Sequence, residues 1–337
     1  MQVGAAPVNG VALTPFFCVR VYMRILFFAR SKKRTRTPAH LVHALRDLGH
    51  SVKLIRYGAW ESILGQHATD ALCELRAQTF HTDLVLVWKH CISVPLLERL
   101  ARRHKTALWC VDWFDPLPPN ICERGRLVDL FLLSNSGQLE DYRRAGVRHP
   151  AFWPQACDPR DHYPEGGTLD ASRPDVAFIG SIGSGQRGEL LRAVDAQCRL
   201  KIRGPGWDRQ AGSFRDACSA DVLPAQYRKT CAQARIVLGC DAMRGVDHCF
   251  SNRTWITLGC RAFLLTNYSP GLEDFFENHK HLAWYKTREE CLELIRHYLP
   301  REDDRLRIAE AGYQLVRSRH TYVHRARELI GMVGQLG

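Results

Sequence analysis

The chain has 337 residues, of which 45% are hydrophobic and 24% charged, and a formal net charge of +12. That composition excludes a disordered chain; no apolar run reaches the roughly 18 residues a membrane helix needs; and the length exceeds what one hydrophobic core serves, so two domains are expected. The basic excess is even, with 22 Lys and Arg against 16 Asp and Glu in residues 1–170 and 25 against 19 in residues 171–337. This argues against a nucleic-acid binder and fits an anionic small ligand or a membrane surface.

Residues 1–22 lack a basic leader, and Pro15 and Arg20 interrupt their apolar stretch. They are expected to be a disordered extension before a start at Met23, not a signal peptide. From there strand and helix alternate. Ile25–Ala29 reads as a buried parallel strand. It is followed by Arg30-Ser31-Lys32-Lys33-Arg34-Thr35-Arg36, the one local concentration of positive charge. A helix is expected over Pro38–Leu48, with Pro at its start and Gly49 after its end. Next come a strand at Val52–Arg56, a helix over Glu61–Gln78, a strand at Leu84–Val87, a helix at Val94–Arg103, and strands at Ala107–Val111 and Leu130–Leu133. A helix starting near Ser136 ends by Gly146. Strands separated by helices imply βαβ units and a parallel sheet.

The pattern breaks at Phe152-Trp153-Pro154-Gln155-Ala156-Cys157-Asp158-Pro159. Domain boundaries follow: a first α/β domain over 23–155, a hinge at 156–174, and a second domain over 175–337. The second domain repeats the rhythm, with strands at Val176–Ile179, Leu200–Arg203, Arg235–Leu238 and Phe263–Thr266. Helices are expected from Gln186, from Ser251 to Gly259, from the capping box Thr287-Arg288-Glu289-Glu290, and over Arg301–Ser318 and Tyr322–Val333. Two doubly wound halves enclose a cleft, and ligands bind there beyond the carboxyl ends of the strands.

Several segments face that cleft. Gly180-Ser181-Ile182-Gly183-Ser184-Gly185 joins a strand to a helix, so its backbone N–H groups can approach phosphate and Arg187 can add a charged contact. A plain flexible turn has the same residues, and the spacing matches neither a Walker A loop nor GxGxxG. Ser251-Asn252-Arg253 opens a helix, where free N–H groups favour an anion. Arg253 opposes the dipole there unless an anion offsets it; otherwise it is an ordinary Arg after a cap. Arg203, Gly204 and Trp207 combine a strand end, a turn and an aromatic, as a phosphate and base site or as a core Trp beside a turn. In the first domain, His90 and Asp112, with Asp115 beyond, follow two strands as candidate general base or acceptor-hydroxyl contacts, although a lone His is more often structural. There are 13 cysteines. The nearest grouping, Cys231, Cys240, Cys249 and Cys260 with His248, lacks the close pairing of zinc ligands, so no metal site is expected and the thiols fit a reduced, cytoplasmic protein.

The combination Ser251-Asn252-Arg253-Thr254-Trp255, Leu258-Gly259-Cys260, Phe263-Leu264-Leu265-Thr266-Asn267-Tyr268 and Gly271-Leu272-Glu273-Asp274-Phe275-Phe276 resembles the glycosyltransferases typified by the spore-maturation protein CgeB. Glu290, Leu294-Ile295-Arg296-His297-Tyr298-Leu299, Ile308-Ala309-Glu310-Ala311-Gly312 and His320-Thr321-Tyr322-Val323-His324-Arg325 fit it too, over about residues 176–330. The resemblance implies a GT-B fold of two Rossmann-like domains and a sugar transferase using a nucleotide-sugar donor, with neither cofactor nor metal. It maps donor contacts onto Gly180, Ser181, Arg187, Arg203, Gly204, Trp207, Ser251, Asn252, Arg253 and the Gly271-Leu272-Glu273 turn, with Gly183 closing the phosphate loop. The acceptor is expected to be anionic or lipid-linked, met at the rim formed by Arg30–Arg36, with peripheral membrane contact and no nucleic acid. Two departures stand out. Relatives often carry an acidic residue, where it can hold ribose hydroxyls, at the position of Ile256, and Gly at the position of Arg261. A degenerate sugar-nucleotide binder and a GT-B sugar-nucleotide epimerase are therefore the alternatives.

Overall fold

The computed structural model describes residues 22–29, 36–166, 173–183, 185–207, 214–219, 222–241 and 245–336. The expected extension at 1–22, save Tyr22, lies outside the described residues, as does the basic segment 30–35.

Apolar runs of four to six residues become buried parallel strands because helices cover both faces of their sheet. In the first domain these are β1 (Arg24–Ala29), β2 (Ser51–Arg56), β3 (Leu84–Trp88), β4 (Lys105–Cys110), β5 (Leu130–Leu133) and β6 (Pro150–Phe152). All six are parallel, in the order β2-β1-β3-β4-β5-β6. The helices are α1 (Arg36–Asp47), α2 (Tyr57–Thr79), α3 (Val94–Ala101), α4 (Pro119–Leu127) and α5 (Leu139–Arg144). Gly65, at φ 74°, interrupts the helical backbone of α2.

The second domain holds β7 (Val176–Ile179), β8 (Leu200–Gly204), β9 (Ala217–Ser219), β10 (Ile236–Leu238), β11 (Leu264–Asn267) and β12 (Ala283–Tyr285). Their order, β12-β11-β10-β7-β8-β9, puts the topological switch point between β7 and β10, where ligands of open α/β sheets bind. Around the sheet lie α6 (Gly185–Gln197), α7 (Pro224–Gln233), α8 (Arg253–Gly259), α9 (Arg288–Tyr298) and α10 (Glu302–Arg319). The Thr287 hydroxyl caps α9 by accepting from Glu290 N at 3.1 Å.

The last helix, α11 (Tyr322–Gln335), returns to the first domain. Its Tyr322, Ala326, Leu329 and Val333 share one core with Leu41 and Leu45 of α1, Trp109 and Trp153. The sequence expectation placed all of 175–337 in the second domain; the packing of α11 carries its apolar side chains back across. The chain thus crosses twice. The crossings lie side by side, with Tyr322 N donating to Cys157 O at 3.0 Å and Cys157 N to His320 O at 3.2 Å.

Candidate functional site

A cavity of about 430 Å3 opens at the switch point of the second sheet, between the domains. Seven of the residues expected at the donor site line it: Gly180, Ser181, Arg187, Gly204, Ser251, Asn252 and Arg253. Thr37 and His40 of α1 and His162 of the crossing segment close it from the other side, while Val222, Pro224, Tyr227 and Ile256 form an apolar wall. Among the described residues, no Asp or Glu lines it.

The phosphate-like wall starts from Phe178, which is fully buried at the end of β7. Two guanidiniums approach its ring, Arg253 at 5.1 Å and Arg187 at 5.5 Å from the centroid. Arg187 is held from α6 by donating to Cys240 O and Ser181 O, both at 2.9 Å. Burial, and then the charge of Arg253, push the Arg187 guanidinium below its ordinary pKa. Arg253 donates through Nε to Ser251 Oγ at 3.1 Å and through Nη1 to Ile179 O at 3.3 Å, and its Nη2 pairs with Asp241. Burial is the largest influence and opposes the Arg253 charge, but Asp241 together with Tyr227 and Cys240 holds the pKa above ordinary. The anion expected to offset Arg253 is therefore a side chain of the protein itself. The free N–H groups expected at the start of α8 are also engaged. Ser251 N donates to Asp241 Oδ2 at 2.7 Å and Arg253 N to Ser251 Oγ at 3.2 Å, while Asn252 at the N-cap makes no side-chain cap.

The turn from Gly180 depends on a backbone approach only glycine permits. Gly204 sits at φ 148°, and a Cβ there would collide with the carbonyl group of Gly180. Trp207 Nε1 donates to that same Gly180 oxygen at 2.9 Å. Trp207 is 2% exposed and packs edge-on against Phe178 and Phe214, so it fixes the turn from behind and is not among the lining residues. Arg203 likewise stands outside the lining, donating to Asp216 Oδ1 at 2.9 Å. Gly183, at φ 61°, ends the described turn against the Arg187 guanidinium.

The Gly271-Leu272-Glu273 turn lies apart from this cavity. Leu272 is buried, Glu273 accepts from the Tyr268 hydroxyl at 2.8 Å, and Gly271, at φ 82°, abuts the His248 ring. His248 bridges the domains: Nδ1 lies 2.6 Å from Ser136 Oγ of the first domain and Nε2 lies 2.9 Å from Asp274 of the second. Ser136, expected to open a helix, instead donates its N–H to Asp247 O at 3.1 Å, and α5 begins three residues later.

His90 and Asp112 follow β3 and β4 as expected but are not lining residues of the cavity. Asp112 pairs with Lys89 at 2.7 Å, tying the two loops together. Cys231, Cys240, Cys249 and Cys260 do not converge, and no group of three or more His, Cys, Asp or Glu among the described residues is arranged to hold a metal. Nor is any helix among them long and apolar enough to cross a membrane. The sequence reading missed His40, His162 and Tyr227 of the lining, and Asp241 behind it. Pro224 at the start of α7 was the available signal for Tyr227.

A family model described as glycosyl transferase-like matches residues 187–331. No curated protein sequence matches the chain. Among solved structures, Anabaena HepE in complex with UDP and glucose is 13% identical, with 93% of this chain and 100% of that one covered and a TM-score of 0.62. Sucrose-phosphate synthase from Thermosynechococcus elongatus is 10% identical, with 93% and 99% covered and a TM-score of 0.67. A glycosyltransferase from Rickettsia africae is 9% identical, with 94% and 98% covered and a TM-score of 0.67. At these identities the likeness shows the fold. The chain has the two-domain Rossmann-like architecture of GT-B enzymes, and most of its second half is glycosyl transferase-like.

Proposed function

We propose that the chain is a cytoplasmic glycosyltransferase of the CgeB-like kind, transferring a hexose from a nucleotide-sugar donor. The observation that carries this reading is the pair of guanidiniums, Arg187 and Arg253, beside one buried ring in a cavity with no carboxylate among its described lining residues. Arg187 and Arg253 against the single Asp241 leave one net positive charge in a partly desolvated pocket, which favours an anion, and the growing charge of a leaving diphosphate suits such a site. Those cations would do the work of a metal ion, so the reading includes no metal and no further cofactor. The backbone of Gly180 and Ser181 faces the same space. A uridine diphosphate sugar is the first donor to test, since HepE was solved with UDP and glucose.

The acceptor would enter from the first domain, where the loops carrying His90 and Asp112 follow adjacent strands. An anionic or lipid-linked acceptor, met at the membrane surface, suits the chain's positive charge, and nucleic acid is not part of the reading. One observation favours the catalytically degenerate alternative: Ile256 lines the cavity, where relatives often place an acid.

Calorimetry with UDP and UDP-glucose, paired with a turnover assay, tests the reading. Binding lost in Arg187→Ala and Arg253→Ala, with sugar release or transfer by the unaltered protein, is the expected result. Tight binding without any turnover leaves the degenerate binder. Absence of binding by any nucleotide sugar removes both.

A further inference from the structure

Opposite the arginines, the cavity is closed by two imidazoles that no assigned role uses. His40 comes from α1 and His162 from the crossing segment far along the sequence, and each is 3% exposed. Their rings meet edge to face with centroids 5.0 Å apart.

Their hydrogen bonds fix which nitrogen of each carries hydrogen. His40 Nε2 lies 2.8 Å from Asp161 Oδ2, and a carboxylate only accepts, so the hydrogen is on Nε2. The hydrogen bond to His40 in turn holds the Asp161 carboxyl below its usual pKa, keeping it ionised. In the neutral ring the lone pair is then on Nδ1, which is buried with no hydrogen-bond partner. In His162 the partnered nitrogen is instead Nδ1. Its Nδ1 accepts from Asp158 N at 2.8 Å, so its hydrogen is on Nε2. Burial pushes the His162 pKa down to about 3, so the ring stays neutral and the assignment holds at physiological pH.

The pair thus offers one acceptor, His40 Nδ1, and one donor, His162 Nε2–H, on two rings in edge-to-face contact. An ammonium ion only donates, and a phosphate or carboxylate only accepts, so each would leave one nitrogen unmatched. A hydroxyl does both.

We propose that His40 and His162 form the subsite for the hydroxyl that attacks the sugar, with His40 as the base and Asp161 as its positioning residue. The proposal rests on the transferase reading above. In the step, the acceptor O–H donates to His40 Nδ1 while His162 Nε2–H donates to the oxygen. The oxygen forms its bond to the anomeric carbon as the bond from that carbon to the diphosphate breaks. The proton passes to His40 Nδ1, and the bond electrons leave with the nucleoside diphosphate towards Arg187 and Arg253. The imidazolium remains hydrogen-bonded to Asp161. Water can occupy the same subsite, which makes donor hydrolysis a probe that needs no identified acceptor.

The test measures UDP binding by calorimetry and UDP release from UDP-glucose without added acceptor, in the unaltered protein, His40→Ala, His162→Ala and Asp161→Asn. UDP affinity should stay within about twofold in all three, because the diphosphate lies on the other wall. Hydrolysis should fall by about 100-fold or more in His40→Ala, the low end for loss of a general base. It should fall about fivefold in His162→Ala, the cost of one hydrogen bond. Added imidazole should restore part of the rate in His40→Ala and none in His162→Ala. In parallel, imidazole 15N spectra of the unaltered protein should show both rings protonated on Nε2, whether or not the variants fold. A ring protonated on Nδ1 overturns the proposal. So does unchanged hydrolysis in His40→Ala with UDP still bound. If the unaltered protein binds neither UDP nor UDP-glucose, the transferase reading fails and takes the subsite with it.

Discussion

Arg253 lines the cavity and forms an ion pair with Asp241 behind it, their side chains 17% and 13% exposed. The same carboxylate accepts from Ser251 N at 2.7 Å, and Asp241 N donates to Asn267 Oδ1 at 2.6 Å, so Asp241 is itself held in place. Arg253 is therefore presented to the cavity with its charge already balanced. A donor diphosphate would add to this arrangement or draw the guanidinium partly from Asp241.

This changes what removal of Arg253 should do. By sequence alone, losing a cation opposed to a helix dipole would leave folding unharmed. In the structure, Arg253→Ala strands a largely buried carboxylate, and the cost should be about 2 kcal/mol or more, somewhat under that of a fully buried pair. Asp241→Ala should cost a similar amount, and the double variant less than the sum of the two. Donor affinity should fall by more than about 1.5 kcal/mol in Arg253→Ala. Urea unfolding of the four proteins, with UDP calorimetry on the folded ones, checks both parts. Additive losses of stability would show that the pair is not coupled.

Gly204→Ala should be among the most damaging small changes near the site. A Cβ at φ 148° is strained, and at this position it also meets the Gly180 carbonyl. Relief requires moving either β8 or the turn that Trp207 holds at 2.9 Å. A loss of about 3 kcal/mol or a site unable to bind UDP is expected, the upper range for backbone strain. A variant with unchanged melting temperature and UDP affinity would mean that the turn has slack.

The strands that build both sheets were legible because they are apolar runs too short to be helices. Val176–Ile179 and Leu130–Leu133 are strands with the expected bounds. The missed elements have weak patterns: α7 is mostly polar, and β6, β9 and β12 have three residues each. The candidate site divides the same way. Gly180, Arg187 and Arg253 stand in local patterns that imply a turn or a helix start. Arg203 and Trp207 share that segment, but strand alternation decides their direction. Leu200, Ile202 and Gly204 are the buried positions of β8, and Arg203 faces the other way towards Asp216. His40 and His162 meet only because the crossing segment folds onto α1, with Arg160 pairing Asp47 at 2.6 Å. No short-range pattern encodes that contact.

Ile256→Glu tests what the departure from relatives does. The substitution introduces a carboxylate where none stands among the described lining residues, three residues after Arg253 on α8. If the donor ribose lies against this helix, as the resemblance implies, UDP should bind about tenfold tighter through new charge-assisted hydrogen bonds. The 2′-deoxy analogue, which lacks one hydroxyl, should gain less. Calorimetry with both ligands decides. An equal gain, or a loss for both, would place the ribose elsewhere or show the new acid pairing with Arg253.

Two buried imidazoles should add most to the acid side of the stability profile, to which His50, His279, His281 and His324, also lowered by burial, contribute with the same sign. His162 accepts from Asp158 N, and His320 Nδ1 accepts from Arg325 at 3.1 Å. Burial first, and then neighbouring cations, depress both pKa values from 6.5 to about 3. Above pH 6.5 the rings are neutral in both folded and unfolded chains. As pH falls through 6.5 the unfolded rings take up protons, while the folded ones stay neutral down to about pH 3. Stability present above pH 6.5 is therefore lost towards pH 3, at up to about 1.4 kcal/mol per pH unit for each ring. The Asp161 carboxyl, also depressed, has the same sign but acts below its ordinary 3.8, so it does not confuse the range between pH 6.5 and 4.5. Urea unfolding across that range should give a steep loss in the unaltered protein. His162→Gln keeps an acceptor for Asp158 N and should lower stability at pH 7.5 yet flatten the slope by about one proton. His320→Gln should do the same independently, since the two rings share no hydrogen bond. Slopes that match the unaltered protein in both variants would mean that these rings are protonated while folded, and would also undo the assignment of hydrogen to Nε2 of His162.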